Sequence, residues 1–191
     1  MDVETASPSP SAVAELARRI DRPLVLVGMM GCGKTTLGRK LAHVLGLPFV
    51  DADEEIERAA QMSIGEIFAA YGEDGFRDGE RRVIARLIAE AGGRMVIALG
   101  GGAFADPRTR ALILDKALAI WLDCDVDTLM ERVSRKDTRP LLRQGDPRAT
   151  LTRLSAERGP AYAQAPVRIA GGPGPQHRTL NAILHTLAAR P

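Results

Sequence analysis

Between Gly28 and Thr36 the chain reads GMMGCGKTT, and these residue types are the ones that handle phosphate. Four residues separate Gly28 from Gly33, and Lys34 and Thr35 follow at once, which is the full pattern of a phosphate-binding loop. Glycines let the backbone curl until several N–H groups face one anion, and a helix starting there adds the positive end of its dipole. The lysine reaches the β and γ phosphates as a mobile charge, and the threonine hydroxyl is a ligand for Mg²⁺. Met30, Gly31, Cys32, Gly33, Lys34, Thr35 and Thr36 are therefore the candidate cradle for a nucleoside triphosphate, with Cys32 a small filler rather than a nucleophile. Such a cradle leaves the acceptor open: water, a nucleotide, a protein conformation or a metabolite.

Acids supply the next clue. In FVDADEEIE, Asp51 and Asp53 stand two apart behind an apolar pair, so both project to one side if the strand continues. One carboxylate of such a pair can hold magnesium while the other takes a proton or hydrogen bond from an acceptor hydroxyl. The competing explanation is an acidic helix start, which the helix dipole favours. It accounts for Glu54 and Glu55 better than for Asp51. A second acid-tipped run, AIWLDCD, offers Asp123 and Asp125 as rival magnesium ligands.

These groups need elements to hold them. PLVLVG is a short Val- and Leu-rich run that predicts a buried strand just before the glycine loop, and Leu37, Leu41, Val44 and Leu45 mark a helix face just after it. LPFVDAD, RMVIALGGG, ALAIWLDCD and the weaker APVRIA predict four more strands. Helical spacing falls near 13–20, 63–71, 77–91, 106–116, 126–135, 147–158 and 176–189. Strands written as continuous apolar runs between helices predict a doubly wound α/β fold: a parallel five-stranded sheet with helices on both faces. Its ligands belong beyond the carboxyl ends of the strands. RKDTRPLLRQGDP, from Arg135 to Pro147, breaks the pattern with charge and proline and is a candidate mobile loop.

Bulk properties narrow the class. The 191 residues fit one domain, and 45% apolar with 26% charged residues is ordinary for a soluble globular chain. A net charge of +2 argues against nucleic acid or an anionic membrane as partner. The two cysteines, Cys32 and Cys124, lack zinc-site spacing and read as free thiols in a reducing compartment. No apolar run approaches a membrane span, and residues 1–11 read as a flexible tail without leader character, so a cytoplasmic protein is expected.

Six segments in order, GMMGCGKTT, FVDADEEIE, FRDGE, ALGGGAF, RPLL and ERGPAY, resemble the shikimate kinase family from about Pro23 onward. The resemblance implies a single phosphate-loop kinase domain over 12–191, with substrate-binding helices about 53–91 and a lid about 133–147. It implies ATP and Mg²⁺ as cofactors, shikimate as the small-molecule substrate, and a monomer. The reaction it implies gives ADP and shikimate 3-phosphate on the route to chorismate and the aromatic amino acids. By the same resemblance Asp53 binds the shikimate hydroxyls as base or positioner, and Asp51 joins Thr35 at magnesium. Arg77 and Arg158 bind the shikimate carboxylate, and Gly100, Gly101 and Gly102 line the acceptor. Arg139 lies in the lid over ATP as a catalytic group beside Lys34, and Arg132 stacks on adenine. Arginine forks match carboxylates bidentately, which agrees with those roles.

Two departures stand out. Ala161 in GPAY replaces a residue that is larger in the family, which bears on packing near Arg158. The stretch VRIAGGPGPQHRT lacks the family's Asp- or Thr-bearing turn, so no adenine contact is assigned between Gly171 and Arg178. A kinase for gluconate or a nucleoside monophosphate would need other acceptor residues. A non-catalytic nucleotide switch has no need of the intact set Lys34, Thr35, Asp53 and Arg139.

Overall fold

A computed structural model describes residues 7–134 and 146–190. Five strands form one sheet: β1 (Leu24–Val27), β2 (Phe49–Asp51), β3 (Val96–Ala98), β4 (Leu118–Cys124) and β5 (Val167–Gly171). Their order is β2-β3-β1-β4-β5, and every pairing is parallel. All of β1 and β3 is buried, as a sheet covered on both faces requires. The helices are α1 (Pro10–Arg19), α2 (Lys34–Leu45), α3 (Ala52–Ala60), α4 (Ile64–Glu90), α5 (Pro107–Lys116), α6 (Val126–Ser134), α7 (Pro147–Tyr162) and α8 (Gln176–Ala188). Helices α1, α2 and α8 pack on one another, while α4 packs on α5 and α6 on α7. The doubly wound architecture expected from the apolar runs is the one observed. No helix among the described residues is long and apolar enough to cross a membrane.

Local chemistry explains the boundaries that matter for the site. Strand β1 ends in Gly28, whose φ of 137° turns the chain out of the sheet, and α2 starts behind Gly33 at φ 99°. Both angles lie where a side chain would be strained. Leu37 and Leu41, at 2% and 0% exposure, seat α2 on the sheet, each contributing about 1.5–3 kcal/mol by burial.

Several expected boundaries move. Strand β2 stops at Asp51, because that carboxylate caps α3 by accepting the Asp53 N–H at 3.0 Å. The helices expected at 63–71 and 77–91 form one element, α4, entered through a reciprocal capping box between Ser63 and Glu66. It kinks at Gly72, with φ 69° and ψ −175°, a conformation essentially confined to glycine. Helix α7 runs past the expected end at 158, through Pro160, to bury Tyr162. The expected tail, 1–11, is helical from Pro10, with Ser9 accepting the Ala12 N–H and proline opening the first turn. Of the expected lid, 133–147, the residues 135–145 lie outside the described residues, and Asp146 caps α7.

Candidate active site

The carboxyl ends of β1, β2 and β3 deliver the three key segments to one edge of the sheet. After β1, the 28–33 loop wraps the ammonium of Lys34. Its Nζ donates to Gly28 O at 2.8 Å and Met29 O at 2.9 Å and lies 3.8 Å from Cys32 Sγ. Cys32 is 1% exposed, which agrees with a filler. Gly31 admits no Cβ, since one would come 2.8 Å from Val133 Cγ2. Met30 is half-buried at the loop's crest, and Thr36 is exposed on the first turn of α2.

The Thr35 hydroxyl donates to Asp51 Oδ2 at 2.7 Å. Asp51 thus caps α3 with one oxygen and meets Thr35 with the other. The helix-start explanation, which the sequence favoured for Glu54 and Glu55, therefore holds for Asp51 as well, while its second oxygen faces the Thr35 hydroxyl. Two hard oxygens converging at the head of α2 suit Mg²⁺, which prefers such ligands.

Asp53 sits in the first turn of α3 rather than on a continued strand. Burial pushes its carboxyl above the ordinary range, and the Asp51 charge pushes the same way. Lys34 and Arg77 pull it back. Gly100 makes room for this carboxylate, because a Cβ there would stand 2.6 Å from Asp53 Oδ1.

Arg77, on α4 beyond the kink, lies against Gly102, whose missing side chain leaves space for the guanidinium. Its Nη1 donates to Glu80 Oε2 at 2.6 Å. Glu80 is 1% exposed, and burial raises its carboxyl while Arg77 opposes that shift. Sequence reasoning quoted FRDGE for its arginine and passed over this glutamate. The available signal was a charge three residues after Arg77, in register to meet it on a helix.

From α7, Arg158 Nη1 donates to Gly101 O at 3.0 Å, and the Tyr162 hydroxyl donates to the same carbonyl. Gly100, Gly101 and Gly102 therefore each face one of the expected site side chains: Asp53, Arg158 and Arg77. Arg132, on α6, donates to Cys32 O at 3.0 Å and Gly172 O at 2.8 Å, tying the phosphate loop to the turn after β5. Arg139 lies outside the described residues.

The rival acids are occupied. Asp123 accepts from Arg168 at 2.9 and 2.6 Å, with that guanidinium 4.9 Å above the Trp121 ring. Asp125 caps α6 through the Thr128 N–H at 2.6 Å and hydroxyl at 3.0 Å. Among the described residues no cluster of three or more acidic, histidine or cysteine side chains has the arrangement of a metal cage.

Comparison with known proteins bears directly on this arrangement. Residues 30–188 match the family model described as shikimate kinase. The chain is 61% identical to the shikimate kinase of Novosphingobium aromaticivorans over 189 residues, covering 98% of each chain. It is 55% identical to that of Caulobacter vibrioides over 173 residues, covering 91% of this chain and 86% of the relative. The solved shikimate kinase from Acinetobacter baumannii, in complex with shikimate, superposes with a TM-score of 0.78 at 33% identity, over 90% of this chain and 94% of the other. A gluconokinase from Sinorhizobium meliloti, 20% identical with a TM-score of 0.58 over 90% and 95% of the two chains, shares the fold alone.

Proposed function

The chain belongs to the shikimate kinase family, and from that premise we propose how its residues divide the work. The reaction moves the terminal phosphoryl group of ATP to the 3-hydroxyl of shikimate, giving shikimate 3-phosphate and ADP. Lys34 and the loop amides from Met30 to Thr36 hold the β and γ phosphates. Thr35 and Asp51 are the residues that would hold Mg²⁺ at the loop, and when bound the ion would supply charge neutralisation toward the phosphates. Arg77 and Arg158 clamp the shikimate carboxylate, with Gly100, Gly101 and Gly102 letting the ring approach the backbone. Arg132 borders the adenine. Arg139 keeps the role the resemblance gives it, at the transferring phosphoryl group.

Asp53 faces the acceptor hydroxyl. As the oxygen–phosphorus bond forms and the bond to ADP breaks, the hydroxyl proton passes to this carboxylate. A base held in a partly desolvated site above the ordinary aspartate range is better matched to that proton than one in water. The observation that carries the reading is electrostatic. The Asp53 carboxylate feels the positive charge of both Lys34, the proposed phosphate lysine, and Arg77, the proposed acceptor arginine. One carboxylate is thus coupled to both proposed binding groups. A cytoplasmic monomer suits this reading, since one chain supplies every named residue and both cysteines are free and buried.

An ADP-release assay with shikimate, gluconate, a nucleoside monophosphate and no acceptor tests the reaction. Turnover with shikimate alone is expected. Turnover with gluconate or a nucleotide, or acceptor-independent hydrolysis, would overturn it. Arg77→Ala and Arg158→Ala should each weaken shikimate binding about 10- to 200-fold while sparing ATP, as loss of a charged hydrogen bond requires. Unchanged shikimate affinity in both would remove the carboxylate assignment.

A further inference from the structure

Tyr162 closes α7 as the largest fully buried side chain, at 2% exposure. Its ring packs beside Trp121 and Phe104, with centroids 6.0 and 6.5 Å away. A buried hydroxyl is costly unless it is bonded. This one donates to Gly101 O, and its other neighbour is Met29 Sδ at 4.0 Å, a weak acceptor. Burial pushes the phenol's pKa up to about 12, so the group stays a donor at any working pH.

Gly101 O is the carbonyl that Arg158 also contacts. Three consecutive glycines resist rotation less than any other tripeptide, so their peptide planes need outside anchors. In a trans peptide the carbonyl and the N–H lie in one plane and point in opposite directions, and no cis bond is present among the described residues. Holding Gly101 O against α7 therefore turns the Gly102 N–H away from α7. Gly102 is also the residue against which Arg77 lies. Arg158 is a long, half-buried side chain whose remaining N–H donors carry the proposed duty to the acceptor carboxylate. The phenol has no such second duty.

We infer that Tyr162 is a positioning residue for the acceptor: through the Gly101 carbonyl it sets the plane of the Gly101–Gly102 peptide, and with it the direction in which the Gly102 N–H meets a shikimate oxygen. This inference rests on the proposal that the glycine triplet lines the acceptor.

Tyr162→Phe isolates the hydroxyl, because the ring and its stacking remain. Three measurements are made on the variant and on the unaltered enzyme: steady-state kinetics with shikimate and ATP, the thermal unfolding midpoint, and backbone amide hydrogen exchange at 100–102 without substrate. The expected result is a rise in shikimate KM of about 3- to 10-fold, the loss of one hydrogen bond. Turnover number and ATP KM should stay within about twofold. The midpoint should fall by no more than about 2–4 °C, the share of one net hydrogen bond in a chain of this size, and exchange at 100–102 should quicken. Unchanged shikimate KM with unchanged exchange in a folded variant overturns the inference. So does a parallel rise in both KM values with a larger fall in the midpoint, or a variant that does not fold, since each makes the phenol a packing group. An unaltered enzyme that fails to turn over shikimate would instead sink the proposed function. The exchange measurement uses no substrate and still answers for the glycine triplet on its own.

Discussion

Gly100→Ala puts a single methyl group against the proposed base. The backbone at Gly100 does not occupy the left-handed region, so alanine meets no conformational strain there. Its Cβ would stand 2.6 Å from Asp53 Oδ1 and 3.4 Å from Oδ2 and Cγ. Ordinary contact is roughly 3.5 Å, so the nearer oxygen must retreat by about 0.9 Å. The retreat is easy for the fold, because the obstacle is the end of a side chain. It is not easy for the chemistry: a misplacement of about 1 Å costs on the order of 100-fold in rate, which is about 2.7 kcal/mol of barrier. The ADP-release assay should show turnover falling by about that factor while ATP KM moves by less than roughly threefold. Gly79→Ala, on α4 with nothing within 4 Å of its Cβ, is the matched control. It should keep full activity and gain about 0.5–1 kcal/mol of stability. A folded Gly100→Ala enzyme within about threefold of normal turnover would refute the placement of Asp53 at the reacting hydroxyl.

Asp53→Asn should abolish most turnover yet raise the unfolding midpoint at pH 7. Burial holds the native carboxyl above its ordinary 3.8, so the folded state binds the proton more tightly than the unfolded state. Stability is then lost as pH rises from the ordinary value through the raised one, and asparagine escapes that loss. The advantage of the variant should vanish below the ordinary aspartate range, and a variant no more stable at pH 7 would contradict the desolvation argument. Glu80→Gln keeps the volume beside Arg77 and removes the charge. Shikimate KM should rise about fivefold, the roughly 1 kcal/mol between a charge-assisted and a neutral hydrogen bond; an unchanged value would mean that Arg77 holds its position without it.

The parallel sheet was readable because buried parallel strands are written as unbroken apolar runs, as LVLV and VIA are here. The phosphate loop was readable because its backbone geometry admits few residues other than glycine. What stayed hidden depends on contacts between distant segments. Asp123 and Asp51 end their strands in the same local pattern, and nothing nearby in sequence separates them. The difference is Arg168, brought beside Asp123 by the pairing of β5 with β4, whereas Asp51 meets Thr35 at the head of α2. Glu80 stood in helical register with Arg77, but its burial, which makes the pairing matter, depends on the tertiary packing. The kink in α4 was half visible: the helical spacing lapsed between 71 and 77, but Gly72, Gly75 and Gly79 are equal candidates for the break until φ is known. Tyr162 lay beyond the expected end of α7 because Pro160 reads as a helix terminator. The helix runs through it all the same, without the bond that an N–H at position 160 would give to the 156 carbonyl.

Asp51 shows why donor and acceptor groups in this chain are physically joined. Its two oxygens bind groups from different elements: the Thr35 hydroxyl on α2 and the Asp53 N–H on α3. The helix that carries Lys34 is thereby tied, through its Thr35 hydroxyl, to the carboxylate that caps the helix carrying the proposed base. The remaining partner of that base, Arg77, stands beyond a glycine kink in α4. A donor side tied by one carboxylate suits a reaction whose donor site must be preorganised. By that reasoning, disturbance at Asp51 should propagate to both substrates at once, whereas disturbance at Glu80 should reach shikimate alone.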